Sequence, residues 1–536
     1  MSDTDKTPLS SPQAGGKGFR FWLIFLALCV SLFLSALEFS IVANALPVII
    51  NELQGEEFAW VGTAYALAAT AFLPFSGVFG RKWSFIGALL VFTLGCALCG
   101  AAQSMAWLIA ARTVQGIGGG AIQSISTIVV SDLVSLQERG KYNGLLGMTW
   151  AVATSVGPLI GGALAQQGRW RWVFYLNLPI CGVALGLCVI FMRLPTPPGT
   201  LREKVKKMDW IGNFLVVSST TSLVIALTWG GARYPWSSAR VLVPLILGIV
   251  GLLAFFIHEM FAATHPMVPR ELLSNRTTVS GYVQVFINSL VVVVWVYYLP
   301  IYYQGCKGAS PTRSSVNMFG ITFLTGPFVV LGGATVSIFK RYRPQLWIAW
   351  VLAIIGAATL STYDVETPLA RAIGLTVIGA AGAGLLFGAT YFPVLSPLHV
   401  SQNARALALF AFFRAFAGIW GITIGSAIFT NKLTKHLSPE FLAQFPGGVD
   451  IVYSIIPTIS SLHEPTRSEV RHAFAESLKP IWYTITALVV FAFLVSLLMA
   501  DVPLQNVVDK RWALEEKRGN AGESGEKRSE EGTVSA

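Results

Sequence analysis

Charged side chains inside long apolar segments carry the most distinctive chemistry of this sequence. Glu38 is the only carboxylate of an apolar stretch at about 20–45, and Arg112 is the only charged residue of another at about 105–131. An ionised, unpaired carboxylate in such a segment costs several kcal/mol, so it is suited to binding and releasing a proton. A guanidinium keeps its proton and tunes the pKa of a neighbouring acid. We therefore predict a proton site at Glu38 and Arg112, with Asp132 as the next candidate acid.

The segments that position these residues are predicted to be helices in a lipid bilayer. Of the 536 residues, 54% are hydrophobic and 12% are charged, about half the charged fraction of a soluble domain. Repeated apolar runs of about twenty residues are each long enough to cross about 30 Å of hydrocarbon. We predict an all-α membrane protein without a soluble enzymatic domain. None of the six histidines shares a span with a plausible acid–base partner, so an enzyme is not expected.

The predicted spans form a six-plus-two-plus-six layout. They run at about 20–45, 58–80, 83–103, 105–131, 142–167, 171–192, 211–231, 240–262, 279–303, 314–339, 346–362, 369–397, 404–430 and 479–500. The corresponding regions are a tail at 1–18, a bundle at 19–192, a basic loop with two linker helices at 193–265, a second bundle at 266–500 containing a long outer loop at 431–478, and a disordered tail at 501–536. Such an internal repeat is typical of alternating-access transporters.

The positive charge indicates how the chain is oriented. The net charge of +11 is spread between the apolar runs and forms no basic face, so we predict no nucleic-acid partner. With both termini in the cytoplasm, the short inner loops hold fifteen Lys and Arg residues and the short outer loops hold seven. This excess predicts cytoplasmic termini.

Three stretches share a pattern with a known family. They are Leu37–Pro47 (LEFSIVANALP), Leu108–Gly120 (LIAARTVQGIGGG), and the segment from Gly147 through GPLIGG at 157–162 to WRWVFYLNLP at 170–179. These stretches resemble the first-, fourth- and fifth-helix motifs of the fourteen-span drug:proton antiporter branch of the major facilitator superfamily, particularly its fungal members. The resemblance covers about residues 20–500 and implies the major-facilitator fold. Glu38 stands where the family usually has Asp.

The resemblance implies roles for several residues. It associates Arg112 with proton transfer and assigns the antiporter motif to Gly147, Gly157, Pro158, Gly161 and Gly162. Gly157 and Gly161 form a small-x-x-x-small face for close helix approach, and Pro158 bends the helix. We expect this Gly- and Pro-containing helix to lie at the interface of two moving halves, where it would suit a gate.

The resemblance also implies a cytoplasmic gate, formed here by Arg81, Lys82 and Arg139. The second-to-third loop, Gly77-Val78-Phe79-Gly80-Arg81-Lys82, is shorter than the family pattern and lacks its aspartate. Asp132, Glu138 and Arg139, at the end of the fourth span, are the residues that could still join Arg81 in a charge network.

The predicted substrate cavity contains polar residues from both halves. They are Gln115, Gln284, Asn288 and Tyr298. Arg414, within Phe412–Gly421, is a second intramembrane cation of the other half. It either faces the interior or extends its charge to the cytoplasmic surface.

These observations predict a proton-coupled secondary transporter that exports small, largely apolar organic compounds by alternating access. The sequence has no phosphate-binding Gly-x-x-x-x-Gly-Lys-Ser/Thr loop, so proton entry is expected to supply the energy. We expect a monomer without a cofactor, in the plasma membrane in preference to the vacuolar membrane. The alternatives are a proton-coupled importer of the siderophore type and a non-transporting membrane receptor or scaffold.

Overall fold

The structure, a computed structural model, describes residues 18–53, 59–72, 80–134, 136–192, 203, 209–231, 233–264, 266–399, 402–442 and 456–503. Fourteen main helices follow one another through these residues. They are α1 Phe19–Leu53, α2 Ala59–Phe72, α3 Arg81–Gly100, α4 Met105–Leu133, α5 Leu136–Gln166, α6 Asn177–Phe191, α7 Trp210–Trp229, α8 Ala239–Ile257, α9 Arg276–Ile301, α10 Phe319–Phe339, α11 Arg343–Leu360, α12 Leu369–Ala389, α13 Asn403–His436 and α14 Thr466–Ser496. Shorter helical segments occur between them, including Trp172–Tyr175 before α6.

Most of these helices are able to cross a bilayer. Among the described residues, twelve are long and apolar enough to do so. The other two are α2, of which 14 residues are described, and α4, whose hydropathy is lowered by Arg112 and a cluster of glycines. The prediction of an all-α membrane fold is confirmed.

Local sequence signals fix where several helices begin. Ser104 accepts a hydrogen bond from the Trp107 backbone N–H at the start of α4, and Asp209 accepts one from Gly212 at the start of α7. Asn275 does the same for α9. Each side chain satisfies a backbone donor that the first helical turn leaves unpaired.

The helices pack as two halves joined by a pair of linker helices. In the first half α1 packs on α5 and α6, and α4 packs on α2 and α3; in the second, α12 packs on α10 and α11, and α9 packs on α13. The halves meet where α5 contacts α10 and where α2 and α4 contact α13. Helices α7 and α8 pack on each other, and α7 also contacts α2 and α13. This is the predicted architecture of two six-helix bundles with two additional helices.

The ends of the predicted regions are only partly described. Helix α13 continues to His436 and α14 begins at Thr466, so both ends of the segment predicted as an outer loop at 431–478 are helical. Most of the tails and of the basic loop, and residues 443–455 of the outer loop, lie outside the described residues.

Candidate functional site

A charged pair is buried inside the first half. Arg112 on α4 donates from Nη1 to Glu38 Oε1 on α1 at 2.8 Å. The relative exposure is 0% for Glu38 and 1% for Arg112. Asn177 on α6 donates from Nδ2 to the other carboxylate oxygen, Oε2, at 2.6 Å. Both oxygens of this buried acid therefore accept a hydrogen bond.

The remaining contacts of Arg112 complete the network. Nη1 also donates to Gln115 Oε1 at 2.6 Å, and Nε donates to the Val61 carbonyl on α2 at 3.1 Å. The guanidinium carbon lies 4.6 Å from the centre of the Tyr65 ring, in a cation–π contact. Burying two charges is tolerated when they are paired and further hydrogen-bonded. Helices α1, α2, α4 and α6 jointly provide that environment.

A cavity lies between the two halves. It encloses about 1300 Å³ of empty space, some of it open to solvent. Its wall is mostly small, aliphatic and aromatic, with a few hydroxyl and amide groups and one cation. Among the lining residues are Ser35, Phe39, Tyr65, Gln123, Trp150, Thr154, Ser289, Val292, Trp295, Thr325, Val329, Phe387 and Arg414. An apolar concave site with few polar groups suits an organic ligand.

One side chain contacts both the cavity and the buried pair. Tyr65 lines the cavity, and its ring packs on Arg112. Its hydroxyl lies 3.1 Å from the Ser35 hydroxyl, and Ser35 donates to the Gly119 carbonyl at 3.3 Å. A single residue thus separates Arg112 from the cavity.

Arg414 faces the cavity. Its guanidinium carbon lies 4.1 Å from the centre of the Phe387 ring and 5.1 Å from that of Phe410. Of the two sequence-based alternatives, this position corresponds to the interior one.

Two of the predicted gate residues, Arg81 and Lys82, begin α3. Arg81 Nε donates to Asp132 Oδ2 at 2.8 Å, and both side chains are buried. Asp132 thus pairs with Arg81, which lies beside the loop that lacks the expected aspartate. Lys82 donates to the Val189 carbonyl at 3.1 Å. The side chain of Arg139 lies outside the described part of the chain.

The glycines of α5 contact two different neighbours. Near its start, a Cβ added at Gly144 would lie 2.8 Å from Val330 Cα, and one at Gly147 would overlap the Val329 side chain of α10. Further on, Cβ atoms at Gly157 and Gly161 would overlap Ser40 and the Ile41 carbonyl of α1.

Helix α5 therefore contacts the other half, as expected, whereas Gly157 and Gly161 themselves approach α1 of their own half. The cause is distance along the axis: Gly161 lies about 21 Å beyond Gly147 at 1.5 Å per residue. A Cβ at Gly162 would meet nothing within 4 Å. Pro158 lies inside α5. The gating role of these residues remains a prediction.

The four polar residues predicted for the cavity are not among those that line it. Gln284 accepts a hydrogen bond from Trp350 and donates to Ser280, and Asn288 donates to the Ala383 carbonyl. Tyr298 donates to the Ile422 carbonyl. Gln115 belongs to the Arg112 network instead. Their contact with substrate remains a prediction that this conformation does not support.

Sequence reasoning missed several residues of the site. Asn177 was quoted only as part of a motif, although an amide within an apolar run was a usable signal. Ser35, Tyr65 and Trp150 gave no such signal, because small and aromatic residues are common in spans.

Two helical halves around a central apolar cavity, with buried charges inside one half, define a membrane transporter fold. The model of the Major Facilitator Superfamily matches residues 28–422. The chain therefore belongs to this superfamily.

Individual relatives match over almost the whole chain. MFS-type efflux pump LUC4 of Fusarium sp is 37% identical, and the match covers 100% of this chain and 96% of the relative. Efflux pump FUS6 of Gibberella fujikuroi is also 37% identical, with 98% and 96% covered. The structure of the proton:xylose symporter XylE bound to 6-bromo-6-deoxy-D-glucose matches with a TM-score of 0.54 at 14% identity, covering 89% of this chain and 94% of that chain. This structural likeness shows the fold alone.

Proposed function

We propose that the protein exports small, largely apolar organic compounds by alternating access, with protons moving in the opposite direction. The apolar cavity between the halves supports a substrate of this class. The names of the relatives support export as the direction of transport. The protein acts as a monomer in the plasma membrane, with both termini in the cytoplasm.

The observation that carries proton coupling is the buried pair of Glu38 and Arg112 beside the cavity wall. A proton that binds Glu38 removes its negative charge, and Arg112 then keeps only neutral partners, such as Gln115 and the Val61 carbonyl. The uncompensated cation destabilises this arrangement. Because Tyr65 packs on Arg112 and lines the cavity, the rearrangement reaches the substrate site.

The proton gradient is large enough for this work. One charge moving through 100 mV releases about 2.3 kcal/mol, which corresponds to about a fifty-fold substrate gradient. In one state of the proposed cycle, the two halves are closed against each other at the cytoplasmic end. The Arg81–Asp132 pair and the contact of α5 with α10 belong to this state.

The experiment measures accumulation in vesicles that contain the purified protein. The probes are Nile red, anthracene-9-carboxylate and its methyl ester, and the vesicle lumen is made acidic. Protons leaving the lumen are expected to drive probe uptake. A weak acid distributes passively toward the alkaline side, so its accumulation in the acidic lumen requires the transporter. An uncoupler is expected to abolish the effect.

Glu38→Gln is expected to abolish gradient-driven accumulation while downhill exchange of the same probe continues. Glu52→Gln is the matched control on the same helix. Glu52 lies beyond the apolar part of α1 and is about half exposed. Hydrogen bonds from Arg171 and Trp170 lower the pKa of Glu52, so this carboxylate stays ionised. The Glu52→Gln variant is expected to transport like the unmodified protein.

A Glu38→Gln protein that concentrates a probe with unchanged pH dependence would remove this carboxylate from the mechanism, and Asp132 would be tested next. If uptake by the unmodified protein did not depend on the proton gradient, proton coupling itself would be contradicted.

A further inference from the structure

Arg414, which is partly buried, differs from the buried cations Arg112 and Arg81. Arg112 is paired with Glu38, and Arg81 is paired with Asp132. For Arg414, the described residues provide no ion-pair partner, and its buried Nε has no hydrogen-bond acceptor. Its contacts are the faces of the Phe387 and Phe410 rings. The guanidinium is therefore held in place by aromatic rings, and its buried Nε–H donates to no acceptor within the described structure.

The surroundings of Arg414 favour an anion. The described wall of the cavity contains no Asp or Glu, and neither does the smaller adjoining space that Arg414 also lines. A guanidinium keeps its charge at working pH. In a mostly apolar cavity an unpaired charge is unfavourable, and an opposite charge is attracted more strongly than in water.

Two further donors on the same wall lack partners. The Trp295 indole N–H and the Ser289 hydroxyl are buried without a hydrogen bond within the described structure, and both residues line the cavity. The cavity thus combines aromatic and aliphatic surface with one cation, and two unpaired neutral donors are buried within its wall. This combination suits a ligand that has an apolar body and an acidic group.

We propose that the cavity binds organic anions, in which an aromatic or aliphatic body carries a carboxylate or enolate that pairs with Arg414. The planar guanidinium fork matches the two oxygens of a carboxylate. The absence of acidic residues from the described wall disfavours organic cations. This inference names the substrate class of the proposed exporter and therefore rests on that function.

The test compares three probes that share one ring system and differ in charge. They are anthracene-9-carboxylate, its methyl ester and (anthracen-9-yl)methylammonium. Binding to the full-length protein in phosphatidylcholine nanodiscs is measured by fluorescence, with empty nanodiscs subtracted, so that no anionic lipid competes. The variants are Arg414→Gln and Arg414→Lys, with Arg405→Gln as the control because Arg405 is an exposed cation of the same helix.

The unmodified protein is expected to bind the carboxylate most tightly and the ammonium most weakly. Arg414→Gln is expected to weaken carboxylate binding at least tenfold, about 1.4 kcal/mol, and to change ester binding less than threefold. Unchanged ester binding also shows that this variant is folded. Arg414→Lys keeps the charge without the fork and is expected to be intermediate. Arg405→Gln is expected to bind like the unmodified protein.

Equal affinity of the unmodified protein for carboxylate and ester, or no carboxylate binding at all, overturns the inference. Equal loss of both probes in Arg414→Gln also overturns it. If neutral compounds accumulate in the vesicle assay while the carboxylate does not bind, export stands and the anion site fails. If the carboxylate binds through Arg414 and no probe is transported, the anion site stands and export fails.

Discussion

At the scale of single residues, the pair of Glu38 and Arg112 has the largest energetic consequences. Each charge is removed from water and compensated mainly by the other, with Asn177 and Gln115 completing the hydrogen bonds. Removing one member of such a pair leaves an uncompensated buried charge, whereas removing both does not. The effects of substituting Glu38 and Arg112 on stability are therefore expected to be strongly non-additive.

A double-mutant cycle tests this coupling. Glu38→Gln leaves Arg112 without its counter-ion, and Arg112→Gln leaves the carboxylate without its cation, so each variant is expected to lower stability by about 3–5 kcal/mol if the charge stays buried. The double variant is expected to be more stable than the sum of the two changes predicts. Apparent unfolding temperatures in detergent provide the measurement.

The control cycle uses Glu464 and Arg467, an exposed pair at a distance of 2.8 Å. Exposed pairs contribute little, so these two changes are expected to be additive. Additive changes at Glu38 and Arg112 would mean that water or another group compensates the charges, against the geometry described above.

The sequence predicted this part of the site only in outline. An arginine alone in an apolar helix needs an acid or a polar surface, and Glu38 was the available acid of the first span. The contributions of Tyr65 and Asn177 depend on how α2 and α6 approach α1 and α4, which no local pattern specifies. The position of Gln284 and Asn288 away from the cavity wall was not predictable for a related reason. Neighbouring positions on a helix point about 100° apart, and in an apolar helix such as α9 hydrophobicity does not show which side faces the cavity.

At the scale of helices, the two ends of α5 contact different neighbours. Its first turns approach α10 of the other half, whereas its last turns approach α1 of its own half. The first contact has to break if the halves separate, and the second has to persist. Substitutions at the two ends are therefore expected to have different consequences.

Gly147→Leu is expected to reduce transport several-fold while the yield of folded protein stays near normal, because the added side chain meets Val329 across the moving contact. Gly161→Leu is expected to lower the yield of folded protein, because the obstacle is the Ile41 backbone within one half. Gly162→Leu is the control, with open space at its Cβ. Vesicle transport and size-exclusion profiles measure the two effects.

Normal transport by Gly147→Leu would show that the contact between α5 and α10 does not limit the cycle. A well-folded but inactive Gly161→Leu would instead restore the expectation drawn from sequence, that this glycine face controls transport. Helix existence was predictable here because apolar length alone specifies a span. The partner of each glycine face was not, because it depends on tertiary packing.

At the scale of the whole molecule, the two halves differ in chemistry. Within the described residues, the Arg112–Glu38 and Arg81–Asp132 pairs are buried in the first half, and Arg414 of the second half has no ion-pair partner. An even number of spans, as predicted from the sequence, would place both termini on one side of the membrane, and the distribution of Lys and Arg predicts that this side is the cytoplasm.

Epitope tags test this orientation. Tags at either terminus are expected to be inaccessible to antibody in intact cells and accessible after permeabilisation. A tag inserted between residues 443 and 450, in the predicted outer loop, is expected to be accessible in both conditions. Labelling of a terminal tag in intact cells would reverse the predicted orientation.

The position of Tyr65 between Arg112 and the cavity has a thermodynamic consequence. In the proposed coupling through Tyr65, which contacts both sites, the free energy of each site depends on the occupancy of the other. Such a dependence is reciprocal. The factor by which bound substrate changes the affinity of Glu38 for a proton equals the factor by which the bound proton changes the affinity of the cavity for substrate. Substrate binding would then release or take up protons, so in an unbuffered solution a pH electrode alone would detect the binding as a change in pH.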